Sequence, residues 1–256
     1  MCKKLFLMLI VLTVVAMAVP ANAADYYLPG SWNGWDSAAD HMTDNLNGTF
    51  TGTITGLEPG SRQEFQYYDD STMAWESPAD QGNGWFYADS EGAMTIVFNT
   101  NTVLDGWLTA DRRTSLSTDP GAWTLAGSFG GPAGYVDWDI SSATGISMAP
   151  QGGGIYSVSL ALPMGSGPGW LNEDLNHFAW KTCVTDAGTW DSISEDGLSV
   201  NTTNAVVMIT PGYQVVNFYV DAYTGVVKAE VVEGVPEPAT IALLGLGGLA
   251  LIRRKR

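Results

Sequence analysis

The chain has 256 residues, with 27 Asp and Glu against 11 Lys and Arg, a formal charge of −16, and 11% aromatic residues. All the acids lie between Asp25 and Glu237, accompanied by only five basic residues: Arg62, Arg112, Arg113, Lys181 and Lys228. So acidic a body repels phosphate backbones and anionic lipid and argues against nucleic-acid partners, while its aromatic content argues against a disordered stalk. At the N-terminus Lys3 and Lys4 precede an apolar run from Leu5 to Val19, and Ala21-Asn22-Ala23 supplies the small residues that a signal peptidase needs. Residues 1–23 therefore read as a secretory signal cut before Ala24. Cys2 lies ahead of the apolar run instead of at its end, where a lipoprotein anchor would sit. Cys183 is then the one cysteine left, which excludes an intrachain disulfide; its thiol is expected as a small core residue, with an intermolecular disulfide as the alternative.

The mature stretch repeats itself. Tyr26-Tyr-Leu-Pro-Gly-Ser-Trp-Asn-Gly-Trp35 begins again at Trp123-Thr-Leu-Ala-Gly-Ser-Phe129. Met42 and Phe50 then correspond to Met148 and Tyr156, Phe65 to Phe178, Trp75 to Trp190, and Phe98 to Phe218. Tyr156, Val158, Leu160 and Leu162 alternate with smaller or polar residues, as in a half-buried strand. Breaks rich in Gly, Asp, Asn and Pro separate such runs. The reading is all-β: two tandem immunoglobulin-like antiparallel β-sandwiches, each of two sheets with Phe50, Phe65 and Phe98 among the inner aromatics of the first. The first module is expected at 24–111, a polar linker at 112–121 and the second module at 122–232.

In the first copy Gly30-Ser-Trp-Asn-Gly-Trp35, Leu57-Glu-Pro-Gly60, Glu64-Phe-Gln-Tyr67 and Trp75-Glu-Ser-Pro78 occur in an order that resembles the glycogen- and starch-binding modules of α-amylase-type enzymes and of an energy-sensing kinase's regulatory subunit. The resemblance covers roughly residues 26–100. It implies that Trp35 and Trp75 stack on successive glucose rings, so an α-glucan or an exopolysaccharide is the glycan partner expected. The chemistry stands by itself, because a pyranose offers a flat patch of C–H groups to an indole face. Gln66 stands where the family has a lysine, and no counterpart of its loop asparagine is found near Glu91-Gly92. In the second copy Phe129 runs into Gly130-Gly131-Pro132, so a Trp35 equivalent is missing unless Trp138 supplies it. Trp85, within Gly82-Asn-Gly-Trp-Phe-Tyr87, is expected on a loop, extending the binding face or capping the sandwich. Trp32, Phe65 and Trp180 are expected in the core.

No catalytic site is expected. His41 and His177 lie in different copies without a nucleophile motif, and Gly127-Ser-Phe-Gly130 lacks the spacing of a nucleophile elbow. Carboxylate pairs such as Asp69-Asp70 and Asp137/Asp139 arise by chance in so acidic a chain and read as solvated turn residues. No zinc or EF-hand spacing is present, so no metal or cofactor is expected.

The end of the chain has three parts: Pro236-Glu237-Pro238, an uncharged run over 239–252, and Arg253, Arg254, Lys255, Arg256. As a helix the fourteen-residue run would reach roughly 21 Å against a hydrocarbon core of about 30 Å. It suits a transient membrane insertion that processing removes; an ordinary short tail anchor is the alternative. Residues 235–256 resemble the PEP-CTERM sorting signal. The resemblance implies an exosortase that recognises the Pro-Glu-Pro motif and cuts near it, in Gram-negative-type cells that make exopolysaccharide. The basic end would remain on the cytoplasmic side. The expected protein is exported, non-catalytic, and held at the cell surface or in the extracellular matrix, with carbohydrate binding through exposed tryptophans. The competing expectation is a purely structural or adhesive matrix protein with no glycan ligand.

Overall fold

The structure, a computed structural model, describes residues 24–233 other than 80, 131–133, 164, 169–170, 172–175, 201 and 211–213. The expected secretory signal and the whole sorting tail, with its expected membrane helix, lie outside the described residues. Those described form an all-β protein, with no helix among them.

Period-two alternation builds the first half. In β3 (Thr49–Ile54) Phe50, Gly52 and Ile54 are buried, and in β8 (Met94–Asn99) Met94, Ile96 and Phe98 are. The strands pair antiparallel with Phe50 opposite Phe98, so both inner rows face one core. β2 (Thr43–Asp44) and β9 (Arg113–Leu116) complete the sheet β2-β3-β8-β9. Against it lie the sheet β1-β5-β6, from β1 (Tyr26–Tyr27), β5 (Tyr67–Asp69) and β6 (Ala74–Glu76), and the ladder of β4 (Arg62–Phe65) with β7 (Gly84–Tyr87). Aromatic rings fill the space between: Tyr67 stacks on Phe98 at 3.9 Å, and Tyr26 meets Phe50 and Phe98 edge-on at 4.6 and 5.2 Å.

The second half comprises β10 (Trp123–Gly127), β11 (Ile146–Gly152), β12 (Ile155–Leu162), β13 (His177–Val184), β14 (Ser192–Ser194), β15 (Gly197–Ser199), β16 (Ala205–Met208), β17 (Gln214–Asp221) and β18 (Val226–Glu233). They join in one nine-stranded sheet, β15-β14-β13-β10-β11-β12-β17-β18, with β16 also on β13. This departs from the expected pair of separate sheets. β11 gives Ile146–Met148 to β10 and Ala149–Gly152 to β12, with an irregularity between Pro150 and Gly152, so one strand turns the corner that two would have left open. The sheet curls until β18 lies beside β14 and β15.

Pairing order repeats between the halves. β2-β3-β8-β9 is matched by β11-β12-β17-β18, and β1-β5-β6 by β10-β13-β14. β13 does alone what β4 and β5 do on either side of Gln66: its first half pairs β16 as β4 pairs β7, and its second half pairs β14 as β5 pairs β6. Register corrects the expected correspondences. Tyr26 faces Asp69 as Trp123 faces Val184, and Gly30 bridges Phe65 as Gly127 faces Trp180. Phe65 therefore answers Trp180, two residues beyond Phe178, and Trp75 answers Ser192, two residues beyond Trp190. A slip of two keeps every side chain on its face, which is why the sequence pattern tolerated it.

The halves share one hydrophobic core. Leu108 N–H donates to Val227 O and Leu116 N–H to Tyr223 O, both at 2.8 Å. The stretch expected as a linker is partly strand: β9 pairs with β8. Its polar sequence concealed this, because Arg113 is buried at 8% exposure and its guanidinium donates to both oxygens of Asp105, at 2.6 and 2.7 Å, and to Thr109 O. Thr114 meets the buried Tyr67 hydroxyl at 2.8 Å.

Candidate functional site

Two tryptophans hold an unusual backbone conformation. Trp35 has φ 64° and Trp138 has φ 56°, the left-handed region, which costs a bulky residue about 1–2 kcal/mol. Each N–H donates at 3.0 Å to the carbonyl of the equivalent glycine, Trp35 to Gly30 and Trp138 to Gly127. Each is followed by an aspartate whose Oδ1 accepts the backbone N–H two residues on, Asp36 from Ala38 and Asp139 from Ser141. Trp138 is thus the Trp35 counterpart, displaced in sequence by the segment after Phe129.

The register aligns the remaining polar groups. Gln66 N–H donates to Pro29 O on the first strand's continuation, and Lys181 faces Ala126, the residue equivalent to Pro29. Gln66 and Lys181 are therefore equivalent. Gly84 faces Phe65 and Ala205 faces Trp180, so the residues before them, Asn83 and Asn204, are equivalent too and stand opposite Gln66 and Lys181. Asn83 directly precedes β7 and Asn204 directly precedes β16. A readable signal was present in the chain: Trp-Asp at both 35–36 and 138–139, and an asparagine directly before a short apolar strand in both copies.

The second copy brings this set together. Trp138, Lys181, Trp190 and Asn204 line a cavity of about 190 Å³. Lys181 Nζ lies 5.9 Å from the centre of the Trp190 ring and donates to Thr202 O at 2.7 Å. Burial lowers the Lys181 pKa, against which the nearby Asp196 carboxylate acts. Asn204 Oδ1 is buried without a hydrogen-bond partner among the described residues. Trp190 is 38% exposed. An open indole beside an ammonium and an unsatisfied amide can receive a ring with an apolar face and hydroxyls at its rim.

The first copy treats the same face differently. Asn83 Nδ2 donates to Glu64 Oε2 at 2.8 Å, and Glu64 also accepts from Arg62. Trp75 is 48% exposed and packs edge-on against Tyr68 at 5.6 Å, while Trp35 and Gln66 are half-buried. Trp85 is not on a loop: it lies in β7 and is wholly buried, 6.0 Å from the Trp123 ring. Its Nε1–H lies 3.3 and 3.2 Å from the carbonyls of Ser192 and Ser199 in the second half. Beside it Asp191, with no exposure, accepts from Arg62 Nε at 2.6 Å, Arg62 Nη2 at 2.5 Å and the Tyr87 hydroxyl at 2.9 Å. The equivalents of Trp85 and Tyr87 are Val206 and Met208, 44% and 52% exposed. One face, closed by the partner half in the first copy, is open in the second.

Trp32 is partly buried, whereas Phe65 and Trp180 are fully buried. His41 pairs with Asp25. Cys183 is fully buried, and burial pushes its thiol up to about 12, so it is held protonated and screened from reagents. Among the described residues no three His, Cys, Asp or Glu side chains converge as a metal site.

No curated protein matches the chain. A family model described as the PEP-CTERM protein-sorting motif matches residues 234–256, a region that includes Pro236, Glu237, Pro238 and the terminal Arg253, Arg254, Lys255 and Arg256. The chain thus carries the mark of a bacterial protein exported, sorted to the cell surface and processed by an exosortase-type enzyme.

Proposed function

We infer that the mature chain is a non-catalytic surface or matrix protein of a Gram-negative-type bacterium, built of two all-β halves on one core, and that it grips carbohydrate chiefly with the second. The observation that supports this reading is the cavity of Trp138, Lys181, Trp190 and Asn204, with Asn204 Oδ1 buried and unsatisfied. A buried acceptor without a partner costs about 1–3 kcal/mol, which the Asn204 side chain would recover by turning its Oδ1 towards a sugar hydroxyl in the cavity. The Trp190 face takes the C–H patch of a pyranose, and Lys181 has donors left beyond its bond to Thr202. Trp35, Trp75 and Gln66 form a second, weaker contact in which Trp75 is the open ring. The ligand is an α-glucan or the cell's own exopolysaccharide. A second reading, a purely structural matrix protein, is favoured by one fact: the corresponding face of the first copy already serves as an internal joint.

Electrophoresis of residues 24–235 through gels holding glycogen, soluble starch or native exopolysaccharide separates the two. Retardation is expected, lost in Trp138→Ala with Trp190→Ala and reduced less by Trp35→Ala with Trp75→Ala. Free migration in every gel would favour the structural reading.

A further inference from the structure

In sequence the sorting motif follows directly on the last strand. Only Gly234 and Val235 separate Glu233, the last residue of β18, from Pro236, and the apolar run opens at Ala239, directly behind Pro238. Fully extended, the chain from Glu233 to Pro236 spans about 10 Å, about twice the ~4.8 Å between neighbouring strands. An enzyme in the membrane that holds Pro236-Glu237-Pro238 must therefore work at the edge of the nine-stranded sheet. The acidic body would at the same time be pressed towards the bilayer surface, which anionic lipid opposes.

β18 is secured unevenly. At its start Val226 and Val227 are 1% and 0% exposed, and Val227 O accepts the Leu108 N–H from the first half. At its end Val231 and Val232 are 41% and 42% exposed, and among the described residues the strand pairs there with β17 alone: Val231 with Val216, Val232 with Val215, Glu233 with Gln214. Half-exposed valines on an edge strand lose little apolar burial on release, and local opening of this kind needs only a fraction of the global stability. Proteolytic enzymes act on backbone freed from its ladder.

We propose that residues 231–233 peel from β17 to bring Pro236-Glu237-Pro238 within the exosortase's reach, while the buried start of β18 keeps the body folded. Three freed residues add about 10 Å of reach.

The full-length chain in its processing host, in a Cys183→Ala background, tests this. Val215→Cys with Val232→Cys staples the end of β18, since paired antiparallel residues lie within disulfide reach in an oxidising compartment. The fraction of exported chains that keep the basic end, read by intact mass, should rise at least tenfold. Insertion of five Gly and Ser residues between Glu233 and Gly234 in the stapled chain should restore processing. Normal processing of the stapled chain, or failure of the insertion to restore it, would overturn the proposal.

Discussion

The two halves share a pairing order and differ in what covers one face. Trp85 and Val206 occupy the same register position, yet Trp85 is sealed against β14 and β15 while Val206 meets solvent. Asn83 and Asn204 are likewise equivalent, one bonded to Glu64 and the other left with a bare buried oxygen. The copy whose sequence better resembles glycan-binding modules is the copy whose face has become a joint. Resemblance follows side-chain identity along the chain, whereas availability depends on what packs on top.

The largest test of this contrast is Trp85→Ala against Val206→Ala. Loss of a buried tryptophan that also serves two carbonyls should cost about 3–5 kcal/mol, and the exposed valine within about 0.5 kcal/mol, both read from urea unfolding. Equal effects would mean that the first face is not a joint. Asp191→Ala follows at about 3 kcal/mol, because the Arg62 guanidinium, only 24% exposed, keeps Glu64 alone and the Tyr87 hydroxyl loses its acceptor at the same seam. Next, Asn204→Ala should weaken glycan retardation about tenfold, while Asn83→Ala leaves it unchanged.

The smallest effect lies at acid pH. Two hydrogen bonds from Arg113 hold the Asp105 carboxyl down to about 2, below the unfolded value of about 3.9. Its contribution is therefore complete above about pH 4 and is lost as pH falls towards 2. Asp105 is 41% exposed, so the loss is modest. In Asp105→Asn the urea midpoint should fall less steeply between pH 4 and 2 than in the parent chain.

Much was legible from residues alone. Alternation in Met94–Asn99 and Ile155–Leu162 specifies strands and their inward faces, since a strand's side chains must point to opposite sides. The Trp-Asp pairs marked both left-handed positions, although the eight residues from Gly130 to Asp137 hid the second. The strand at Arg113–Leu116 was not legible, because its charge is neutralised by Asp105 only once the chain is folded.

Composition and periodicity by themselves indicated the all-β class and the doubled plan, and the resemblance of residues 235–256 marked the sorting tail, for these depend on each residue and its near neighbours. Tertiary structure alone decided that Trp85 became a fastening and that Trp138, Lys181, Trp190 and Asn204 met around a cavity. Alternation sets the direction in which a side chain points; what it meets there is supplied by strands a hundred residues away.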